Sequence, residues 1–347
     1  MRKAIICGYY GQGNAGDEAL LLAILSRLNN NITPIILSGN PQKTSQDYGV
    51  ISYSRLQIIK EILKLTKKDL FIWGGGSLIQ DITSVKSAIY YLTLMALAQL
   101  KGVKTIAYAQ GIGPIKTPFI QWLTKIILKR CDRISVRDQK SAKLLDQWGI
   151  KYLIAPDPVW ALPSKKTKKI ELLPAPRIAV NLRSHPSLTI AKIETISQVL
   201  RKINEKTNAS IILLPFQISK DLEVCEKIAQ QLTTNYQILT LENAQELKGL
   251  FSQIDMLIGM RLHSLIMAGS EKCKCFALSY DPKVNNLMSE INIKGYDLEK
   301  LPTNIDEIFQ EFLNTYNNPN PISSQQIQKL AEDALKHQQL IDSVISH

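Results

Sequence analysis

Residues 3–18 read KAIICGYYGQGNAGDE. The apolar run KAIIC predicts a strand over 3–7, and four glycines follow within nine positions: Gly8, Gly11, Gly13 and Gly16. Gly11, Gly13 and Gly16 satisfy the G-x-G-x-x-G spacing that lets backbone N–H groups approach a dinucleotide pyrophosphate. That reading also needs a carboxylate about twenty positions on to hold the ribose hydroxyls. The second predicted strand ends in TPIILSGN (33–40), so Ser38 and Asn40 stand where the acid is required. A dehydrogenase reading is weakened there. What remains is a tight turn that permits close backbone approach, followed by a helix whose unpaired N–H groups face whatever enters the loop. Asn14 and Asp17 add polar side chains. Asp17 reads either as a helix cap or as a carboxylate that activates a hydroxyl.

Working outward, strands are predicted at 3–7, 34–38, 69–73, 104–108, 133–136 and 152–155. Between them the patterning predicts helices at 17–29, 54–66, 85–101, 118–130 and 139–148. The alternation restarts after residue 176. Strands are expected at 177–183, 210–214, 236–240, 256–258 and 275–279, and helices at 190–206, 220–233, 243–253, 261–270 and 283–290. Such alternation implies parallel sheets covered on both faces. The segment ALPSKKTKKIELLPAP (161–176) carries three prolines and a charge run, and reads as a linker. The expected organisation is an α/β protein of two doubly wound, Rossmann-like domains, 1–160 and 177–300, facing a cleft at the carboxyl ends of their strands. A polar tail, 301–347, with helices at 304–316 and 323–345, is expected to pack back across the first domain.

The 347 residues carry a net charge of +12, which favours anionic partners. No nucleic-acid module accompanies the charge, so no nucleic-acid partner is expected. Part of the excess lies in SKKTKK (164–169) and part in FIQWLTKIILKRCDR (119–133). The second stretch reads as a core helix with a solvated face or as a peripheral contact with a membrane surface. The five cysteines are odd in number and irregularly spaced, which argues against a disulfide framework and for a reducing compartment. Cys273 and Cys275 read as buried or edge thiols. The histidines are dispersed and no metal-ligand spacing is visible, so no metal is expected. SAIYYLTLMALAQL (87–100) is too short to span a bilayer and reads as a buried helix. The N-terminal stretch does not read as a signal peptide. The expected location is cytoplasmic, with peripheral contact at the inner face of the cytoplasmic membrane.

Glycine and polar residues gather after successive predicted strands. In the first half these loops are FIWGGGSLIQD (71–81), YAQGIGP (108–114), SVRD (135–138) and APDPVW (155–160). In the second half they are NLRSHP (181–186), GMRLHSLIMAGS (259–270) and SYDPKVNNLM (279–288). A binding cleft needs that asymmetry, whereas a purely structural protein does not. Arg137 lies at the edge of the first sheet; Arg261, His263 and Lys283 lie at the edge of the second, with Arg183 as a further cation. Of the other histidines, His337 and His347 fall in the tail and are expected to carry no chemistry.

The ordered set GYYGQGNAGDEALLLAIL, WGGGSLIQD, YAQGIGP, SVRD, DPV, GMRLHSLIMA and SYDPKV resembles the polysaccharide pyruvyl transferases, CsaB type, over roughly residues 1–300. The resemblance implies a GT-B-like fold. It implies transfer of pyruvate from phosphoenolpyruvate, a co-substrate rather than a cofactor, onto a sugar of a cell-wall or exopolysaccharide precursor as a cyclic ketal. It also implies a sugar acceptor that is often lipid-linked. The family pattern places donor-binding residues at Arg137, His263 and Lys283, and Arg261 joins them as a matching cation. His263 is the candidate acid and Asp17 the candidate base. Gly13, Asn14, Asp17, Gly75, Gly76 and Gln110 are assigned to the acceptor. Two rival readings are a GT-B glycosyltransferase using a nucleotide sugar, with Asp281 as its candidate ribose carboxylate, and a non-catalytic binder of anionic glycan or lipid.

Overall fold

A computed structural model describes residues 2–82, 84–170, 173–233 and 235–345. The chain forms two compact units. Unit 1 comprises the residues up to Gln12, Asp17–Leu162 and the residues from Leu330 onward; unit 2 comprises Gly13–Gly16 and Pro163–Lys329.

Unit 1 is built on β1 (Arg2–Tyr10), β2 (Ile32–Ser38), β3 (Ile51–Tyr53), β4 (Leu70–Trp73), β5 (Lys104–Gln110), β6 (Arg133–Val136) and β7 (Leu153–Ile154). Its helices are α1 (Ala15–Leu25), α2 (Pro41–Tyr48), α3 (Gln57–Lys64), α4 (Val85–Leu100), α5 (Pro118–Lys129) and α6 (Gln139–Gln147). The seven strands pair in the order β3-β2-β1-β4-β5-β6-β7, and every pair is parallel. β4 reads LFIW and is buried at all four positions, as expected of a strand covered on both faces. The strand order reverses between β1 and β4. That switch opens the sheet at the loops after Tyr10 and Trp73, the place where doubly wound folds receive ligands.

Unit 2 repeats the plan with β8 (Arg177–Asn181), β9 (Ser210–Leu213), β10 (Tyr236–Ile238), β11 (Met256–Gly259), β12 (Lys274–Ser279) and β13 (Lys294–Asp297). The helices are α7 (Ile190–Thr207), α8 (Ile218–Ala229), α9 (Ala244–Leu250), α10 (Leu262–Ser270), α11 (Pro282–Glu290) and α12 (Ile305–Asn317). The order is β10-β9-β8-β11-β12-β13, so the switch falls between β8 and β11. Arg183 and Arg261 follow those two strands.

Three predicted boundaries change. Residues 163–170 are not a free connector: they belong to unit 2, where Ile170 is fully buried and the Lys165 N–H donates to the Gln245 carbonyl. The predicted helix over 323–345 is two helices, α13 (Ser324–Ala334) and α14 (Lys336–Ile345). The tail also divides, because α12 packs on α7 in unit 2 while residues from Leu330 belong to unit 1. There Ile341 and Val344 join the core formed by Ala4, Ile6, Ile36 and Ile106. Glu171, Leu172 and His347 lie outside the described residues.

Candidate functional site

In unit 1 the opening loop is filled by its own side chains. Gly11 has φ +68° and packs so closely on Ser38 that a Cβ would lie 2.1 Å from its Oγ. The Gly11 N–H donates to Glu18 Oε1 at 2.7 Å, so a carboxylate of α1 already takes a donor that a pyrophosphate would use. The other Glu18 oxygen accepts from the Tyr48 hydroxyl at 2.8 Å. Burial pushes the Glu18 carboxyl up despite both bonds. Sequence reading gave Glu18 no role. Asp17 sits within the first turn of α1, a helix that begins at Ala15, and is not the cap; Asn14 Oδ1 instead accepts the Gly16 N–H at 3.2 Å. The Asp17 carboxylate faces Gly76, whose Cβ would lie 3.6 Å from Oδ1. Burial, then the Asp17 charge, pushes the buried Tyr10 phenol up.

Gly75 and Gly76 are buried. A Cβ on Gly75 would meet Leu20 at 2.8 Å, and Gly76 has φ +119°, which side-chain-bearing residues rarely adopt. Packing against α1 therefore already requires glycine at 75, and backbone conformation requires it at 76. Gln110 departs further from its expected role as an acceptor ligand. It is fully buried, and its amide nitrogen donates to the carbonyls of Gly74 at 2.7 Å and Tyr108 at 2.9 Å. As the last residue of β5 it turns inward and clamps the glycine run after β4.

Arg137 follows β6, and its side chain is only 6% exposed. Its Nη1 donates to Asp157 Oδ2 at 2.5 Å and its Nη2 to Ser77 Oγ at 3.3 Å. The expected donor-binding arginine is thus oriented by a buried carboxylate. Asp157 stands in the DPV motif, but nothing in residue spacing pairs positions 137 and 157. The two meet because β6 and β7 are neighbouring parallel strands. Asp138 caps α6 through the Ser141 N–H at 2.8 Å.

His337 of α14 lies behind this pair. It is fully buried, with Nε2 at 3.0 Å from the Pro156 carbonyl and 3.3 Å from that of Ala155. The Tyr108 ring packs on it at 5.4 Å. Burial pushes its pKa down from 6.5 to about 4, partly offset by the Pro156 carbonyl and the Asp157 charge, with Arg137 adding to the drop. The unfolded chain therefore binds a proton between these values that the folded chain does not. Unit 1 is expected to lose stability as pH falls from 6.5 to about 4, by about 3 kcal/mol in all. Melting temperature followed against pH checks this: His337→Gln should flatten the slope, and an unchanged slope would show that other groups cause it.

In unit 2, Asn14 bridges to Gln217 and the Ala15 N–H donates to the Phe216 carbonyl at 2.9 Å. Gly16 lies against the His263 ring so closely that a Cβ would fall 2.2 Å from Nδ1. His263 is the second residue of α10 and half-buried. It stands beside first-turn N–H groups whose dipole end favours an anion. Gly13 is exposed, with φ +68°.

Arg261 has a different task from the one expected. Its Nε and Nη2 donate to the two oxygens of Asp221 at 2.8 and 2.6 Å. Asp221 is completely buried and also accepts the N–H groups of Phe216 and Gln217, both at 2.9 Å. This bidentate pair fixes Arg261 at the N-cap position of α10, two residues before His263. Lys283 is half-buried in the first turn of α11. Asp281 caps that helix through the Lys283 N–H at 2.9 Å, so one oxygen of the candidate ribose carboxylate is committed to the fold. Arg183 donates to the Tyr280 hydroxyl at 2.9 Å, and His185 packs on the same ring at 4.7 Å. Burial, then Arg183, holds the His185 pKa down. Cys273 and Cys275 are buried, and burial raises both thiols. Among the described residues no group of three or more His, Cys, Asp or Glu is placed to hold a metal ion. No helix among them is long and apolar enough to cross a membrane.

Two parallel-sheet α/β units of this kind define a GT-B-like protein, and comparison with solved structures agrees. The UDP-GlcNAc 2-epimerase of Methanocaldococcus jannaschii matches with a TM-score of 0.66 at 12% identity, covering 100% of this chain and 99% of that one. The S. aureus MnaA–UDP structure matches at 0.68 and 10% identity, covering 99% and 96%. MurG of Acinetobacter baumannii matches at 0.57 and 10%, covering 100% of both. At such identities the likeness is one of fold. The family model for polysaccharide pyruvyl transferase matches residues 14–282. The chain belongs to that family. Gly13 and Lys283 fall just outside the matched span. A comparison with curated protein sequences gave no match.

Proposed function

We propose that the protein transfers pyruvate from phosphoenolpyruvate onto two hydroxyls of one sugar in a polysaccharide precursor, forming a cyclic ketal and releasing phosphate. The observation that carries this reading, beside the family match, is the setting of His263. A protonatable ring is fixed against Gly16 at the start of α10, and Lys283 opens the next helix of the same sheet edge. Phosphoenolpyruvate is a carboxylate and a phosphate on one three-carbon enol. A helix N-terminus and a lysine suit its phosphate, and an arginine such as Arg137 suits either group.

His263 protonates the methylene carbon, which becomes a methyl group. A sugar hydroxyl attacks the adjacent carbon and yields its proton to a base. The carbon–oxygen bond to phosphate then breaks, and a second hydroxyl of the same sugar closes the ketal. Two hydroxyl protons are released; one balances the proton on the methyl group and the other leaves with phosphate. Developing charge on the leaving phosphate is stabilised by fixed cations and N–H groups.

A thermal-shift titration tests the donor. Phosphoenolpyruvate at one hundred times its dissociation constant is expected to stabilise the protein by about 2.7 kcal/mol. Loss of the shift in both Arg137→Ala and His263→Ala supports the full donor set. Loss in His263→Ala alone assigns the donor to unit 2. The likeness in fold to UDP-bound structures is consistent with the glycosyltransferase alternative. A shift with a nucleotide sugar and none with phosphoenolpyruvate would replace the reading.

A further inference from the structure

Between Ile82 and Cys131 the sequence holds seven Lys or Arg residues and no Asp or Glu. This stretch spans α4, β5 and α5 of unit 1. Because β4 and β5 are adjacent and parallel, the helices that follow them both start at the carboxyl edge of the sheet. Large apolar side chains are exposed at both starts: Ile82 at 55%, Val85 and Ile89 at 39%, Phe119 at 58% and Trp122 at 57%. The two aromatic rings stack on each other, 6.0 Å apart, and both remain more than half exposed. The two loops are tied together by Asp81, whose oxygens accept the N–H groups of Lys116 at 2.8 Å and Thr117 at 2.7 Å. The acid just before this stretch in sequence is therefore buried and spent on backbone, while Lys86 and Lys116 are exposed and Lys125 half-exposed in the same segments as the apolar side chains.

We infer that this edge of unit 1 docks on an anionic lipid surface. Exposed aromatic and aliphatic side chains accompanied by lysines fit an interface whose headgroups are negative and whose interior is apolar. A nucleic acid would satisfy the lysines but leave Ile82, Val85 and Ile89 in water. The docking edge shares the β4–α4 loop with Gly75 and Gly76, so it would bring the switch point of unit 1 to a membrane where a lipid-linked sugar is presented. The docking itself does not rest on pyruvyl transfer, and its test involves no turnover.

The test uses the purified full chain with vesicles of phosphatidylcholine alone or mixed with phosphatidylglycerol. Of the four tryptophans only Trp122 is exposed; Trp73, Trp148 and Trp160 are 0%, 7% and 3% exposed. A blue shift in emission with anionic vesicles, quenched by brominated lipid tails, therefore reports Trp122. Co-sedimentation is expected to fall about tenfold or more in Phe119→Ala/Trp122→Ala, and about fivefold for each of Lys86, Lys116 and Lys125 changed to Gln. These positions lie outside the core, so melting temperatures should hold. Ile82→Ser/Val85→Ser gives an independent check with the same expected direction. Absence of vesicle binding, binding that survives the apolar changes, or an oligonucleotide bound with the same sensitivity to them would overturn the inference.

Discussion

Asp221→Ala is expected to destabilise unit 2 by about 3–5 kcal/mol, the cost of leaving a buried guanidinium without its partner. The Asp221 carboxylate is fully buried and satisfies four donors: two from Arg261 and the N–H groups of Phe216 and Gln217. Its removal takes an acceptor from all four and leaves Arg261 Nη2 only Gln217 Oε1 at 3.3 Å, in a setting where each lost partner is felt. Replacing both members of the ion pair by apolar residues often restores stability elsewhere. Here Asp221→Leu/Arg261→Met should not, because the two backbone N–H groups would still lack an acceptor. The loss should appear as a drop of about 10 °C or more in the transition of unit 2. A loss below about 1 kcal/mol would mean that water reaches the site and replaces the carboxylate. Activity should fall with stability, since Phe216 and Gln217 also hold Ala15 and Asn14, beside the glycine that abuts His263.

His263→Gln is expected to lower turnover about 10²–10⁴-fold while leaving the fold intact, the usual contribution of a positioned acid. Its side chain is half-buried at a helix start and outside the apolar core, so a stability effect below about 1 kcal/mol is expected. Phosphate release from phosphoenolpyruvate in the presence of acceptor measures the rate. Lys283→Ala should raise KM more than it lowers kcat if its charge binds donor and transition state alike. Turnover of His263→Gln within a few-fold of the parent would remove His263 from the chemistry and leave it a role in packing against Gly16.

The parallel sheets were legible because their strands are buried on both faces and so read as short apolar runs between amphipathic helices. What escaped notice was polar or brief. Helix α2, PQKTSQDY, has no apolar stripe; its signals are the Asn40 cap, Pro41 at its first position and the left-handed Gly49. β3 and β13 are outer strands of three and four residues with little apolar content. At the site the cations were visible as residue types, but their partners were not. Asp157 and Asp221 lie 20 and 40 residues from Arg137 and Arg261, and only strand order brings them together. The direction of the Gln110 amide was hidden for the same reason. The residue's place after a strand said that it reached the sheet edge, and not that its amide turned back onto Gly74.

Unit 1 owes part of its interior to residues beyond unit 2. Ile341 and Val344 seal the face formed by Ala4, Ile6, Ile36 and Ile106, and Arg2 Nη1 donates to the Ile345 carbonyl at 2.6 Å. During synthesis, everything from Pro163 to Lys329 emerges before that seal exists. The first sheet must therefore wait with one apolar flank uncovered while the second sheet is made and folds. Closing so long a loop is slow compared with local helix formation, and an exposed flank invites misassociation in the interval. The arrangement makes completion of the first unit depend on residues that are synthesised after those of the second.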